Sequence, residues 1–226
     1  MTFRVKIISP LKASEADLAR RQRRYGQQAG PDTQVVVENL RGGPAALNTS
    51  GDVLASAAAI FRQGCDTKPD DYDTILIDCV FDPAVEELQE ATGLPTFGPT
   101  RVTLPLIRLV SPNFSIIARA ERQCELLAGT VIGYGFGDHL CSLRALDISY
   151  EEAKQPEIFN RVMLERLEEA VVSDGARAIM FGSTTMALTD QMRATARGAP
   201  LFMPGMVALT VVEQLWFDGL WPKRSE

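Results

Sequence analysis

The chain has 226 residues, of which 46% are hydrophobic and 23% charged, with a formal net charge of −6. That length buries a substantial core, as one large α/β domain or as two small lobes, without disulfides, and the acidic balance argues against nucleic acid as a partner, because phosphate binding asks for a basic surface. No uninterrupted apolar run reaches the roughly 18 residues of a membrane span; the opening Met1-Thr2-Phe3-Arg4-Val5 lacks the apolar stretch of a signal peptide, and the four cysteines, Cys65, Cys79, Cys124 and Cys141, form no C-x-x-C pair, so a cytoplasmic location is expected.

An aliphatic run predicts the first strand over Arg4 to Ser9, followed by a helix over Ser14 to Gln28. The one basic cluster of the chain, Arg20-Arg21-Gln22-Arg23-Arg24, lies in that helix and reads as a solvated face. Then come a strand over Gln34 to Asn39, a helix over Asp52 to Arg62, a strand over Thr74 to Cys79, a helix over Ala84 to Thr92, a short strand at Thr96-Phe97 and a helix over Val102 to Leu109. The order repeats with strands over Phe114 to Arg119, Ser142 to Leu146 and Arg177 to Ser183, helices over Glu121 to Ala128 and Glu157 to Ser173, a short strand at Leu201-Phe202-Met203 and a last helix over Val207 to Phe217.

Such alternation implies right-handed crossovers and parallel sheets with helices on both faces. Gly93-Leu94-Pro95 and Gly198-Ala199-Pro200 precede the two short strands and mark the repeat, whose halves divide near Ser111-Pro112-Asn113. The expected architecture is therefore α/β with two pseudo-symmetric lobes, residues 1–112 carrying Cys79 and residues 113–226 carrying Ser183. Each lobe is a small parallel sheet flanked by helices, with the active site between them. The C-terminal helix, with Trp216, Phe217 and Trp221 nearby, reads as a packing element that could return to the first lobe, or as a subunit contact.

Chemistry is expected at the two matching strand ends, because open α/β sheets bind ligands at the carboxyl ends of their strands. In Thr74-Ile75-Leu76-Ile77-Asp78-Cys79 the strand runs out on a thiol, and in Ala178-Ile179-Met180-Phe181-Gly182-Ser183 on a hydroxyl. A helix N-terminus just beyond would offer N–H groups to an anion at either place. Asp78 and Asp82 bracket the thiol: each is a candidate second base or a charge that raises the thiol pKa, and Asp82 before Pro83 also fits an N-cap of the next helix. Thr184 and Thr185 read either as hydroxyl and N–H donors to substrate or as helix caps, and Asn48 and Thr49 likewise as cleft-facing loop residues or a cap. His139, the single histidine, falls in a glycine-rich loop and reads as a surface residue. The remaining cysteines, Cys65, Cys124 and Cys141, lack ligand spacing and read as buried inert thiols, so no metal site is expected.

Taken in order, these residues resemble the aspartate/glutamate/hydantoin racemase superfamily, most nearly its hydantoin and allantoin racemase-like branch, across nearly the whole chain. Ile7-Ile8-Ser9-Pro10 is similar to that branch's Ile-Asn-Pro-Asn, and Gly43-Pro44 to its Gly-Pro. Asp78-Cys79-Val80-Phe81-Asp82-Pro83 is similar to Ala-Cys-Phe-Gly-Asp-Pro, Phe114 to Arg119 to a strand ending in Thr-Thr, and Asp174-Gly175-Ala176 with Gly182-Ser183-Thr184-Thr185-Met186 to Asp-Gly-Ala with Gly-Cys-Ala-Gly-Met. The resemblance implies a cofactor-independent enzyme, often oligomeric, in which one cysteine from each lobe moves a proton at the carbon next to a carbonyl or carboxylate. It assigns Cys79 and Ser183 to the catalytic positions and Pro10, Asn48, Asp78, Val80, Phe81, Arg119, Thr184 and Thr185 to the substrate site.

Two departures matter. Ser183 stands where the second thiol belongs, and an aliphatic hydroxyl is far too weak an acid to replace a thiolate unaided. Ala118-Arg119 replaces Thr-Thr, and an Arg at a strand end grips a carboxylate bidentately unless it pairs with Glu121 or faces solvent. The expected function is cysteine-mediated proton transfer on a hydantoin-, amino-acid- or dicarboxylate-like small molecule. A decarboxylase, lyase or ring-opening hydrolase using Cys79 alone is the alternative, and a non-catalytic binding protein on the same scaffold a third reading.

Overall fold

The computed structural model describes residues 2–149, 152 and 155–221. The first half supplies β1 (Phe3–Ile8), α1 (Glu15–Gln28), β2 (Thr33–Glu38), α2 (Ser50–Gly64), β3 (Thr74–Ile77), α3 (Val85–Thr92), β4 (Thr96–Phe97) and α4 (Pro99–Val110). The second supplies β5 (Phe114–Ala118), α5 (Glu121–Gly133), β6 (Leu140–Ala145), α6 (Pro156–Glu168), β7 (Ile179–Phe181), α7 (Asp190–Thr195), β8 (Leu201–Phe202) and α8 (Pro204–Phe217). Between α5 and β6 lies a 3-10 turn, Gly137–His139, and α6 runs on as a π-helical turn over Glu169–Ser173.

Every strand pairing is parallel, in two four-stranded sheets ordered β2-β1-β3-β4 and β6-β5-β7-β8. β3 and β5 are buried along their whole length, as inner strands covered on both faces must be. In each sheet the chain leaves the first strand to one side and returns on the other, so the switch point falls between the carboxyl ends of β1 and β3 and of β5 and β7. The sequence anticipates this α/β architecture; it misses only the short α7, whose six residues carry too little periodicity to read.

The chain divides into two compact units, residues 1–102 with 205–226, and residues 103–204. The break does not coincide with the expected 112/113 boundary: it falls inside α4, and the C-terminal segment belongs with the first unit. There Trp216 stacks on Phe3 at 4.8 Å between ring centroids and Trp221 meets Phe3 edge-on at 5.4 Å, which gives the first sheet an aromatic cover.

The turn after β3 corrects the reading of Asp82. The residue does not cap α3, which starts after Ala84 in a left-handed conformation without any side-chain cap. It caps α4 instead: its carboxylate accepts the N–H groups of Thr100 at 3.2 Å and Arg101 at 2.6 Å. This requires glycine at 98, where a Cβ would lie 2.2 Å from Asp82 Cγ. Gly98→Ala is therefore expected to lower unfolding free energy by about 1–3 kcal/mol, read as a lower urea midpoint at unchanged slope. Asp82→Gly combined with Gly98→Ala should cost less than the two singles summed, because the Asp82 side-chain atoms that the added methyl would meet at 2.2–2.6 Å are then gone.

Candidate active site

Asp78-Cys79-Val80-Phe81-Asp82 forms a tight turn at the carboxyl end of β3. Asp78 N–H still bonds to Ile8 O at 2.9 Å, continuing the ladder, while Cys79 N–H closes back on Ile77 O at 2.8 Å and Asp82 N–H on Cys79 O at 3.1 Å. Thr100 Oγ1 donates to Val80 O at 2.6 Å, so α4 fixes the middle of the turn as well as its Asp82 end. Asp82 and Ala84 hold positive φ, 49° and 61°, a conformation that costs L-residues roughly 1–2 kcal/mol each and that gathers at functional sites. The donor to the Cys79 sulfur is the N–H of Phe81 within the turn, and Ala84 and Val85 at the start of α3 belong to the same buried cluster.

Cys79 is 4% exposed and packs among Ile8, Leu47, Ile60 and Val85. Burial pushes its pKa far above the ordinary thiol range; Asp82 and Asp78 push the same way, while the Phe81 N–H and Arg21 oppose them. Burial and the two carboxylates thus favour the protonated thiol over the thiolate.

Arg21 and Tyr25 are the residues that the sequence reading missed. The basic cluster is not simply a solvated face: Arg20 and Arg23 are exposed, but Arg21 is buried. Its Nη1 bonds to Asp78 Oδ2 and its Nε to Asp17 Oδ2 at 3.1 Å. Tyr25 Oη donates to Asp78 Oδ1 at 2.6 Å. Burial works against the Arg21 charge, but Asp78 and Asp17 outweigh it and hold the guanidinium protonated. Asp78, expected to meet substrate, thus spends its carboxylate on α1. The available signal was the four-residue spacing of Asp17, Arg21 and Tyr25, which puts them on one helix face, together with an Asp ending an otherwise apolar strand.

The first unit also holds the other expected site residues of its half. Pro10 is buried after β1 and its carbonyl accepts from Ser56 Oγ at 2.5 Å. Asn48 is exposed, its N–H bonded to Asp52, just ahead of the Thr49 and Asp52 capping box that starts α2. Val80 is buried, and Phe81 is partly buried against the same core as Cys79.

In the second unit Gly182, Ser183, Thr184 and Thr185 come directly after β7. Glycine is required at 182, where a Cβ would meet Leu127 Cδ1 at 2.9 Å and Ala118 Cα at 3.0 Å. Ser183 is half-buried; its Oγ lies 3.0 Å from Thr185 Oγ1 and accepts the Thr185 N–H at 3.3 Å. Thr184 and Thr185 cap no helix, since α7 is capped by Thr189. Ile117 pairs with Phe181, so Arg119 and Ser183 each lie two residues beyond that paired position. Arg119 is half-buried, and its guanidinium forms no ion pair with Glu121 or with any other described residue.

His139 ends the 3-10 turn, half-buried. Cys124 is buried, but Cys65 and Cys141 are exposed, correcting their expected burial. Among the described residues no group of three or more His, Cys, Asp or Glu is arranged to hold a metal ion, and no helix is long and apolar enough to cross a membrane.

This architecture recurs in known proteins. Residues 5–212 match the family described as Asp/Glu/Hydantoin racemase. A hydantoin racemase of Rhizobium meliloti is 25% identical over 185 residues, 81% of this chain and 76% of that protein. The structure of allantoin racemase from Klebsiella pneumoniae superposes with a TM-score of 0.86 at 23% identity, covering 99% of this chain and 95% of that one. Maleate isomerase Iso from Pseudomonas putida S16 superposes with a TM-score of 0.71 at 12% identity, covering 96% and 94%. The chain belongs to the Asp/Glu/hydantoin racemase family and is an enzyme of its racemase and isomerase type.

Because the Cys79 pKa is raised, alkylation there is expected to be much slower at pH 7.5 than at exposed Cys65 and Cys141, and to accelerate as pH rises. Peptide-resolved mass spectrometry after timed iodoacetamide treatment measures all three in one sample.

Proposed function

We propose that this enzyme moves a proton at a carbon next to a carbonyl or carboxylate, with the Cys79 thiol as the proton carrier and a small acidic or cyclic-amide molecule as substrate. The observation that carries the proposal is the Cys79 side chain itself, a protonated thiol held by the Phe81 N–H in a strained turn at the sheet's switch point. The thiol gives its proton to the substrate carbon, or its thiolate takes one away; each half-step leaves Cys79 in the state needed for the other, and the proton exchanges with solvent. Arg119, without an ion-pair partner among the described residues, would hold a substrate carboxylate. Ser183 and Thr185 would donate hydrogen bonds to the oxygen on which negative charge develops. The relatives named hydantoin racemase and allantoin racemase favour a cyclic-amide substrate.

One observation favours a second reading. The Ser183 hydroxyl is engaged with Thr185, a pairing that does not turn a hydroxyl into a base, so a symmetrical exchange between two thiols is not available. In a one-sided reaction the bond between the reacting carbon and a carboxylate breaks, the electron pair stays on that carbon as an enediolate, and Cys79 delivers its proton there. The thiolate then regains a proton from water.

Polarimetry and carbon dioxide release, measured across hydantoins, acidic amino acids and substituted malonates, separate these outcomes. Cys79→Ala is expected to reduce turnover by about 10²- to 10⁴-fold, and Arg119→Met to raise KM for carboxylate substrates only. Turnover at the wild-type rate in Cys79→Ala would remove the thiol from the mechanism.

A further inference from the structure

Asp78 puts a carboxylate in the residue next to the thiol. A carboxylate in that place is 1% exposed, and burying a charge is costly unless it is paired and hydrogen-bonded. The structure supplies both from one helix face: Arg21 Nη1 on Oδ2 and Tyr25 Oη on Oδ1 at 2.6 Å. Arg21 is in turn held by Asp17 at 3.1 Å. We propose that Asp17, Arg21, Tyr25 and Asp78 form a hydrogen-bonded relay that positions the Asp78 carboxylate against α1 and so sets how readily the neighbouring Cys79 gives up its proton.

Three features support a role beyond packing. The set ends one residue from the thiol, and its two buried charges act on that thiol in opposite directions, Asp78 retaining the proton and Arg21 easing its loss. The other groups facing Cys79 are fixed in different tasks. Asp82, from the turn, is committed to the N–H groups of Thr100 and Arg101 at the start of α4. Arg24, also on α1, is half-buried and lies within electrostatic range of Asp78 and Tyr25. Finally, removing the carboxylate at 78 would leave Arg21 and Tyr25 on α1 without the group they now bind, so the three residues depend on one another. Arg21 and Tyr25 are positioning residues here, acting through Asp78 rather than on substrate.

The inference rests on Cys79 being the proton carrier, but its test reads the thiol directly and not turnover. Cys79 alkylation by iodoacetamide is tracked by peptide-resolved mass spectrometry from pH 7 to 9.5, in protein whose fold is checked by circular dichroism. Asp78→Asn keeps the shape and the hydrogen-bonding oxygen but removes the negative charge; alkylation below the thiol pKa should accelerate about tenfold, a shift of about one unit. Arg21→Met should slow it about tenfold, for the opposite reason. Tyr25→Phe, a milder change that keeps the ion pair, should slow it roughly threefold through the lost hydrogen bond. Opposite signs for Asp78→Asn and Arg21→Met establish the relay. An unchanged rate in Asp78→Asn, or both variants moving the same way, overturns it; should Arg21→Met not fold, an unchanged rate in Tyr25→Phe overturns it equally. If Cys79→Ala keeps full turnover while these shifts appear, the proposed reaction fails and the relay stands.

Discussion

A buried thiol surrounded by uncompensated negative charge holds its proton ever more tightly, yet this chain places a carboxylate on either side of Cys79. Each is disposed of on a different helix. Asp82 is spent on the first N–H groups of α4, where the helix dipole welcomes an anion, and Asp78 is spent on Arg21 and Tyr25 of α1. The five-residue turn is thereby tied down from two directions, and its positive backbone angles are held by those ties rather than relaxed. Gly98 belongs to the same constraint, since no other residue lets α4 start so close to Asp82.

The second strand end obeys different physics. Gly182 is forced by the approach of Leu127 and Ala118, and the next three residues, Ser183, Thr184 and Thr185, bring hydroxyls with no charge among them. Arg119 brings a cation just past β5, with Asp147 bonded to its carbonyl and to the N–H of Glu121. A protonated thiol after β3, and a hydroxyl beside a guanidinium after the strands of the other sheet, are unlike in chemistry although they occupy like positions in two sheets of the same order. The two strand ends are therefore unequal in chemistry, one a thiol and the other a hydroxyl.

Most of the fold was legible because parallel strands buried on both faces must be aliphatic and their crossovers must be helical. β3, β5 and the paired Gly-x-Pro segments announce themselves on those grounds. Boundaries were less legible: no local pattern marks a division within α4, whereas the aromatic end of the C-terminal helix already offered a return to the first unit, where Trp216 stacks on Phe3. The positions of Cys79, Ser183 and Arg119 at or just past strand ends were legible because an aliphatic run marks where each strand stops. Asp82 was misassigned because an Asp before Pro caps the next helix so often that a cap for a later one goes unsuspected. Arg21 was missed for a related reason: within a run of arginines nothing marks the one that turns inward, and only Asp78, 57 residues away, explains it.

The central claim is that Cys79 carries the proton. Its most direct test is solvent isotope exchange: the wild type and Cys79→Ser are incubated in deuterated water with a turned-over substrate, and the hydrogen on the reacting carbon is monitored by NMR. The account predicts deuterium at that carbon with the wild type and a loss of incorporation of at least about a hundredfold with Cys79→Ser. Equal incorporation by the two proteins would contradict it.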